Sequence, residues 1–329
     1  MLYVVTGSTG HIGNNVVRML LEQGEQVRVL VRRESDPAID GLMVQKSVGD
    51  LCDMEFLLAN IRKGCCVIHS AGVISITEKN SEEVYRVNVD ATCCVAEACL
   101  VKGARLVYVS SADAICGEGI IKEPERFYPD ELVGSYAKSK AIAGNFVLDK
   151  VARGLDGCIV CPTAVIGDND FKVSCIGQVI SDYVDRMPMA RVRGGYNFVS
   201  VTDVARGIIS ACKKGKSGAC YILSGEYITV EDMFRHLNTL SGKKHLPIKI
   251  PLWLLGFISP LVSLYFTARG KKPVFSRYAI KCLNEIKDYR PEGTEAELGY
   301  THISAREALN EAYGYFCRAK MKPKSNKSR

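Results

Sequence analysis

The chain opens on a short apolar run, Leu2-Tyr3-Val4-Val5, followed at once by glycines and then by Ile12, Val16, Val17, Met19, Leu20 and Leu21. The first run has the length and β-branched content of a buried strand, and the later set recurs at the spacing of an amphipathic helix. Val27 to Val31 reads as a second strand, completing a βαβ unit. Apolar runs return at Cys66-Val67-Ile68, Leu106 to Val109 and Cys158 to Cys161, separated by helix-length segments such as Glu82 to Val101 and Tyr136 to Ala152. Strands apolar on both faces, alternating with helices, predict an α/β fold, a doubly wound parallel sheet covered on both sides.

After about Gly167 the alternation weakens, and prolines, glycines and basic residues become more frequent. The expected division is a main domain over 1–167, a smaller C-terminal lobe over 168–317 that carries substrate specificity, and a flexible basic tail over 318–329. A short strand and helix within 198–212 read as a return to the main domain.

Composition narrows the field. With 47% hydrophobic and 24% charged residues the chain is neither disordered nor fibrous in character. Its net charge of +7 suggests a polyanion partner until the charges are located. Six of the cations, Arg318, Lys320, Lys322, Lys324, Lys327 and Arg329, lie beyond residue 317 in a stretch without acids. The body is therefore close to neutral, and nucleic acid is not an expected partner. The 14 cysteines sit mostly in apolar runs and read as reduced core thiols. Cys158 and Cys161 have a zinc-like spacing, but residues three apart on a strand face opposite sides, so no metal site is expected. A charged and then apolar leader is missing at the start of this sequence, which makes a cytoplasmic location the expectation. The longest uncharged stretch, Ile250 to Ala268, contains Pro251 and Pro260 and reads as a buried or substrate-covering helix pair, with membrane contact the lesser alternative.

Chemistry begins at Thr6-Gly7-Ser8-Thr9-Gly10-His11-Ile12-Gly13, between the first strand and the first helix. Gly7 permits a tight turn, Gly10 lets the backbone approach a pyrophosphate, and Gly13 allows close packing of helix on strand. The helix N-terminus then attracts the phosphates of a dinucleotide. The second strand ends in Arg32-Arg33, where an NAD site usually places an acid for the ribose 2′-hydroxyl; arginine there pairs instead with a 2′-phosphate, so NADP is favoured over NAD. Asp50 and Leu51 follow the expected third strand, in position to meet the adenine; Asp50 can equally serve as a helix cap.

Tyr136-Ala137-Lys138-Ser139-Lys140 puts a phenol and an ammonium on one helix face, one turn apart. A tyrosine with pKa near 10 needs roughly 4 kcal/mol of preferential phenolate stabilisation to exchange protons at neutral pH. A cation about 4 Å away at an effective dielectric of about 20 supplies that order of energy, so Lys140 together with an oxidised nicotinamide is expected to suffice. Val109-Ser110-Ser111 ends a buried strand at the edge where ligands bind, and Ser111, with Ser110 as fallback, is the candidate to hold the reacting oxygen.

Together these residues resemble the extended short-chain dehydrogenase/reductase superfamily over nearly the whole chain. The marks are Thr6 to Gly13, His69-Ser70-Ala71-Gly72, Asn88-Val89-Asp90-Ala91-Thr92, Ser110-Ser111, Tyr136 to Lys140, and Cys161 to Gly167. Val29 to Arg33, Phe198 to Ala205 and Glu297-Leu298-Gly299-Tyr300 make it similar to the dihydroflavonol-4-reductase and 3β-hydroxysteroid dehydrogenase group. The resemblance implies a Rossmann fold and a homodimer formed through the Glu82 to Val101 and Tyr136 to Ala152 helices. It further implies that Ser70, Ala71 and Gly72 line the cofactor, that Pro162 and Val165 lie near the nicotinamide, that Lys140 also binds the nicotinamide ribose, and that Asn88 orders the active-site helix. One departure stands out: the family places its catalytic hydroxyl five residues before a glycine, whereas Ser111 lies six before Gly117, with Ala112 at the usual place.

The expected activity is hydride transfer between a nicotinamide and a secondary alcohol or ketone on an apolar skeleton, steroid-like or flavonoid-like. Two rivals stay open. A nucleotide-sugar epimerase would use the same Tyr/Lys pair with tightly held NAD, which Arg32 weighs against; a non-catalytic dinucleotide sensor would be expected to lose Tyr136 or Lys140.

Overall fold

The computed structural model describes residues 1–74, 81–187, 189–251, 283 and 287–321. Its strands are β1 (Leu2–Thr6), β2 (Gln26–Val31), β3 (Gln45–Val48), β4 (Cys66–His69), β5 (Arg105–Val109), β6 (Gly119–Ile121), β7 (Gly157–Pro162), β8 (Ala164–Ile166), β9 (Ala190–Arg191), β10 (Gly195–Ser200), β11 (Cys220–Leu223), β12 (Glu226–Thr229), β13 (Ile248–Lys249) and β14 (Lys287–Tyr289). The α-helices are α1 (His11–Glu22), α2 (Met54–Asn60), α3 (Ser81–Tyr85), α4 (Ala91–Lys102), α5 (Ser135–Val151), α6 (Cys175–Val184), α7 (Val201–Lys214), α8 (Val230–Ser241), α9 (Glu292–Leu298) and α10 (Ala305–Met321).

Seven strands build the main sheet in the order β11-β7-β5-β4-β1-β2-β3, every neighbouring pair parallel. Side chains alternate across it: Val4 joins Leu57, Val95, Ala141 and Val147 of α2, α4 and α5 on one face. Tyr3 and Val5 join Val16, Leu20, Val204 and Ile208 of α1 and α7 on the other. Both faces are thus dry, which is why the strands read as continuous apolar runs. Cys158 and Cys161 of β7 fall in these two opposite layers. The chain moves outward from β1 to β3, then crosses back to β4, so a crevice opens beyond the carboxyl ends of β1 and β4, where such sheets bind ligands.

A second, three-stranded sheet, β12-β10-β8, packs with α6, α8 and α10 around Phe198, Tyr183, Phe234, Leu309 and Phe316. Within 198–212, helix α7 lies on the main sheet against α1, whereas β10 pairs with β8 and β12. The strand that re-enters the main sheet is β11, whose four buried residues pair with β7. The expected tail also begins later than its sequence suggests. The buried stripe of α10, ending at Phe316, carries the helix through Met321, and Arg318 pairs with Asp168 at 2.7 Å. Residues 252–268 of the uncharged stretch and 322–329 of the tail lie outside the described residues. No helix among the described residues is long and apolar enough to cross a membrane.

Candidate active site

The glycine loop sits at the crevice between β1 and β4. Gly7 has φ of 69°, and a Cβ there would stand 2.5 Å from the Ala71 amide, so only glycine admits the β4 loop this close. A Cβ on Gly13 would fall on the Gly7 carbonyl and the Ser70 hydroxyl, the latter already donating to Thr6 O at 2.8 Å. Gly10 caps α1 without any side-chain acceptor, and the first turn has no acid. Its amide groups are therefore left for a ligand. The Ser8 hydroxyl is buried and without a hydrogen-bond partner among the described residues. Collision-limited glycines, an uncapped helix start and an orphaned hydroxyl together fit a pyrophosphate. Ile12 packs on the sheet, and the His11 imidazole, held neutral chiefly by burial, donates from Nε2 to Asp168 O at 3.0 Å.

Tyr136 and Lys140 are both buried on the first turns of α5, which starts after Gly134 at φ 88°. The Lys140 ammonium donates to Val109 O at 2.8 Å and lies 4.9 Å from the centre of the Tyr108 ring. A Cβ on Gly72 would stand 3.2 Å from its Nζ, so that glycine leaves room for it. Burial lowers Lys140 to about 8. Ser111 caps the short 3-10 turn Ala112–Ala114 and accepts from the Asp113 amide at 3.2 Å.

Acidification of the phenol was expected from Lys140 and an oxidised nicotinamide together. Burial and then the Asp113 carboxylate raise the Tyr136 pKa well above 10, and the hydrogen bond from Ser111 pulls it down only partly. In the protein alone the lysine does not acidify the tyrosine, because its ammonium is turned onto Val109 and Tyr108 while desolvation dominates at the phenol. Of the two serines, Ser111 is the one beside the phenol; Ser110 is buried facing Tyr108 and Cys161. Ala112, at the family's usual position, is buried in the short turn.

Behind the pair runs a buried polar network. Asn88 lies in a π-helical turn, Arg86–Asp90, inserted between α3 and α4; such turns recur at functional sites. Its side chain accepts from Val73 N at 2.8 Å and donates to Val73 O at 3.1 Å and Ser139 Oγ at 2.9 Å. Ser139 in turn donates to Tyr136 O at 2.8 Å. Thr92 donates to Asn88 O at 2.7 Å, so its oxygen is free to accept from His69 Nε2 at 2.9 Å, and His69 Nδ1 accepts from Thr6 Oγ1 at 2.7 Å. That assignment makes His69 neutral; burial and the Lys140 charge lower its pKa to about 3. His69, Thr92 and Ser139 stand within the quoted motifs, but no role was expected of them, because hydrogen bonds between distant elements leave no mark in local spacing.

The other expected site residues are more dispersed. Arg32 and Arg33 are exposed at the end of β2. Asp50 is exposed too; it accepts from Cys52 N at 2.9 Å and pairs with Arg86 at 3.4 Å, and the Cys52 bond is the main reason its carboxyl stays below the usual range. The cap of α2 is Asp53. Leu51 packs on the core, Pro162 ends β7 and Val165 lies in β8.

A doubly wound sheet with a glycine loop at its crossover crevice and a buried Tyr/Lys pair beside it defines an extended short-chain NAD(P)-dependent oxidoreductase. The chain belongs to the 3-beta hydroxysteroid dehydrogenase/isomerase family, which it matches over residues 4–228. It is 33% identical to sterol demethylase protein B of Methylococcus capsulatus over 96% of this chain and 98% of that one. A putative dihydroflavonol 4-reductase of Synechocystis is 34% identical over 95% and 94%. Among solved structures, gox2253 superposes with a TM-score of 0.81 at 30% identity, covering 97% of this chain and 98% of that one. A UDP-glucuronic acid 4-epimerase from Bacillus cereus, solved with NAD, shares the fold at a TM-score of 0.75 and 17% identity, over 97% and 99%.

Proposed function

We propose that the protein interconverts a secondary alcohol and a ketone on an apolar, sterol-like or polyphenol-like molecule, using NADP in preference to NAD. The observation that carries this reading is the burial of both Tyr136 and Lys140 on the first turns of α5, with the Lys140 ammonium bound to Val109 O, two residues before Ser111. The residues of the glycine loop, with Ser70, Ala71 and Gly72, hold the dinucleotide, which supplies or accepts the hydride at its nicotinamide. Ser111 orients the substrate oxygen. Tyr136, kept protonated by its dry surroundings, is matched to the acid role and delivers its proton to the oxygen of a carbonyl being reduced. Lys140 anchors this turn through Val109 O and contributes the nearby positive charge. A hydrophobic substrate body agrees with the uncharged Ile250 to Ala268 stretch and with the sterol relative at 33% identity.

The test is loss of nicotinamide absorbance from NADPH over a panel of steroid ketones, flavanonols and nucleotide sugars. Turnover of steroid or flavanonol ketones, from protein purified without nucleotide, is expected. Chromatographic conversion of a nucleotide sugar to its epimer without loss of NADPH absorbance, by protein that retains NAD through purification, would replace the proposal with epimerisation.

A further inference from the structure

Residues 168–174 of the second lobe form a strap across the start of α1. Asp168 O accepts from His11 Nε2 and from Asn15 Nδ2, each at 3.0 Å, and Asn169 Nδ2 donates to Asn15 Oδ1 at 3.0 Å. The Arg18 guanidinium stacks 5.7 Å from the Phe171 ring, and that ring meets Tyr315 edge-on. Two non-glycine residues of the strap are left-handed, Asn169 at φ 60° and Val173 at φ 48°. For a β-branched residue this is a true outlier, and it persists only where the surroundings enforce it. Here the buried Asp170 carboxylate does so, accepting from Ser174 N at 2.8 Å and Ser174 Oγ at 2.7 Å.

What the strained strap delivers is Lys172. Its Nζ donates to Thr9 Oγ1 of the glycine loop at 2.5 Å and lies 3.9 Å from the Asp36 carboxylate. Arg32 and Arg33, which make no ion pair among the described residues, stand close enough that their charges bear on it; after burial, and against Asp36, they hold its pKa down. Lys172 thus comes from the second lobe to Thr9 and Asp36 at the mouth of the dinucleotide crevice, near the charges of Arg32 and Arg33 that follow β2. A phosphate monoester carries nearly two negative charges and several acceptor oxygens, enough to accept from all three cations.

We propose that Lys172 is the third cation of a seat for the dinucleotide's 2′-phosphate, formed with Arg32 and Arg33, so that the second lobe takes part in selecting the cofactor. The inference rests on the NADP reading above. The glycine-loop amides already serve the pyrophosphate, which leaves Lys172, beside the β2 arginines, to the 2′ position.

Calorimetric titration with adenosine 2′,5′-bisphosphate and with ADP tests it without turnover. Lys172→Gln should weaken the bisphosphate about 10-fold, the size of one charge-assisted hydrogen bond, and ADP less than about twofold. Lys172→Arg should keep most of the affinity. Equal loss for both ligands, or none for either, overturns the proposal. Arg32→Gln separates the two readings: if it abolishes the preference for the bisphosphate while Lys172→Gln leaves that preference intact, only the role of Lys172 is rejected. A wild-type protein without any such preference rejects both.

Discussion

One hydroxyl joins Asn88 to Tyr136: Ser139 accepts from the Asn88 amide at 2.9 Å and donates to the Tyr136 carbonyl at 2.8 Å. The π-helical turn that carries Asn88 and the first turn of α5 are thereby held in one register. The same amide closes on both polar groups of the Val73 backbone, next to the loop that lines the crevice.

Asn88→Ala leaves the Val73 amide and carbonyl without their partner, which should lower stability by about 1–3 kcal/mol in denaturant titration. Loosening the phenol's turn should lower kcat about 10- to 100-fold, with the NADPH dissociation constant little changed. An unchanged kcat in a folded variant would show that the link has no part in positioning Tyr136.

Tyr136→Phe keeps the ring and removes the proton donor. The expected loss in kcat is about 10²- to 10⁴-fold, with NADPH affinity and melting temperature near those of the parent. Stopped-flow measurement of the hydride step separates this loss from product release, and parental rates would end the acid role given to Tyr136.

Lys140 should leave a pH signature of its own. The folded protein releases its proton near pH 8 and the unfolded chain near 10.5. Between those values the unfolded chain binds more protons, so stability rises with pH across the window; below pH 8 the buried charge costs on the order of 3 kcal/mol. Lys140→Met should therefore be at least as stable as the parent at pH 7, although inactive. The parent's reduction rate should fall as pH passes 8, while the Tyr136 phenol is still protonated. A variant clearly less stable at pH 7 would contradict the burial account.

His69 acts in the same sense at lower pH. It is neutral in the fold down to about pH 3, whereas in the unfolded chain it takes up a proton below 6.5. Stability should therefore fall with falling pH from 6.5 downward, by about 2 kcal/mol from this group between pH 7 and 5. In His69→Gln, compared by denaturant midpoints at both pH values, that part of the acid loss should vanish. An acid loss identical to the parent's would mean that the imidazole is not buried neutral.

Much of the fold could be read from the chain because dry strands write themselves as unbroken apolar runs. β1, β4, β5 and β7 each hold such a run, whereas Arg28 interrupts β2, and a strand buried on both faces tolerates little else. The Tyr136/Lys140 pairing was legible for a related reason: a four-residue spacing is a single helical turn, so it needs no tertiary information. β11 was harder to place, since four apolar residues belong equally well to any sheet until the neighbouring edge at β7 is known.

The sequence by itself determined the parallel sheet, the glycine turn at the end of β1 and the shared face of Tyr136 and Lys140, all of them products of local spacing and hydrophobic pattern. Only the tertiary structure decided where the charges act. It turned the Lys140 ammonium onto Val109 and Tyr108, dried the Tyr136 phenol beside Asp113, and brought Lys172 to Thr9 across 163 residues. Electrostatic energy and desolvation depend on distance and on the loss of water, and a one-dimensional order of residues encodes neither.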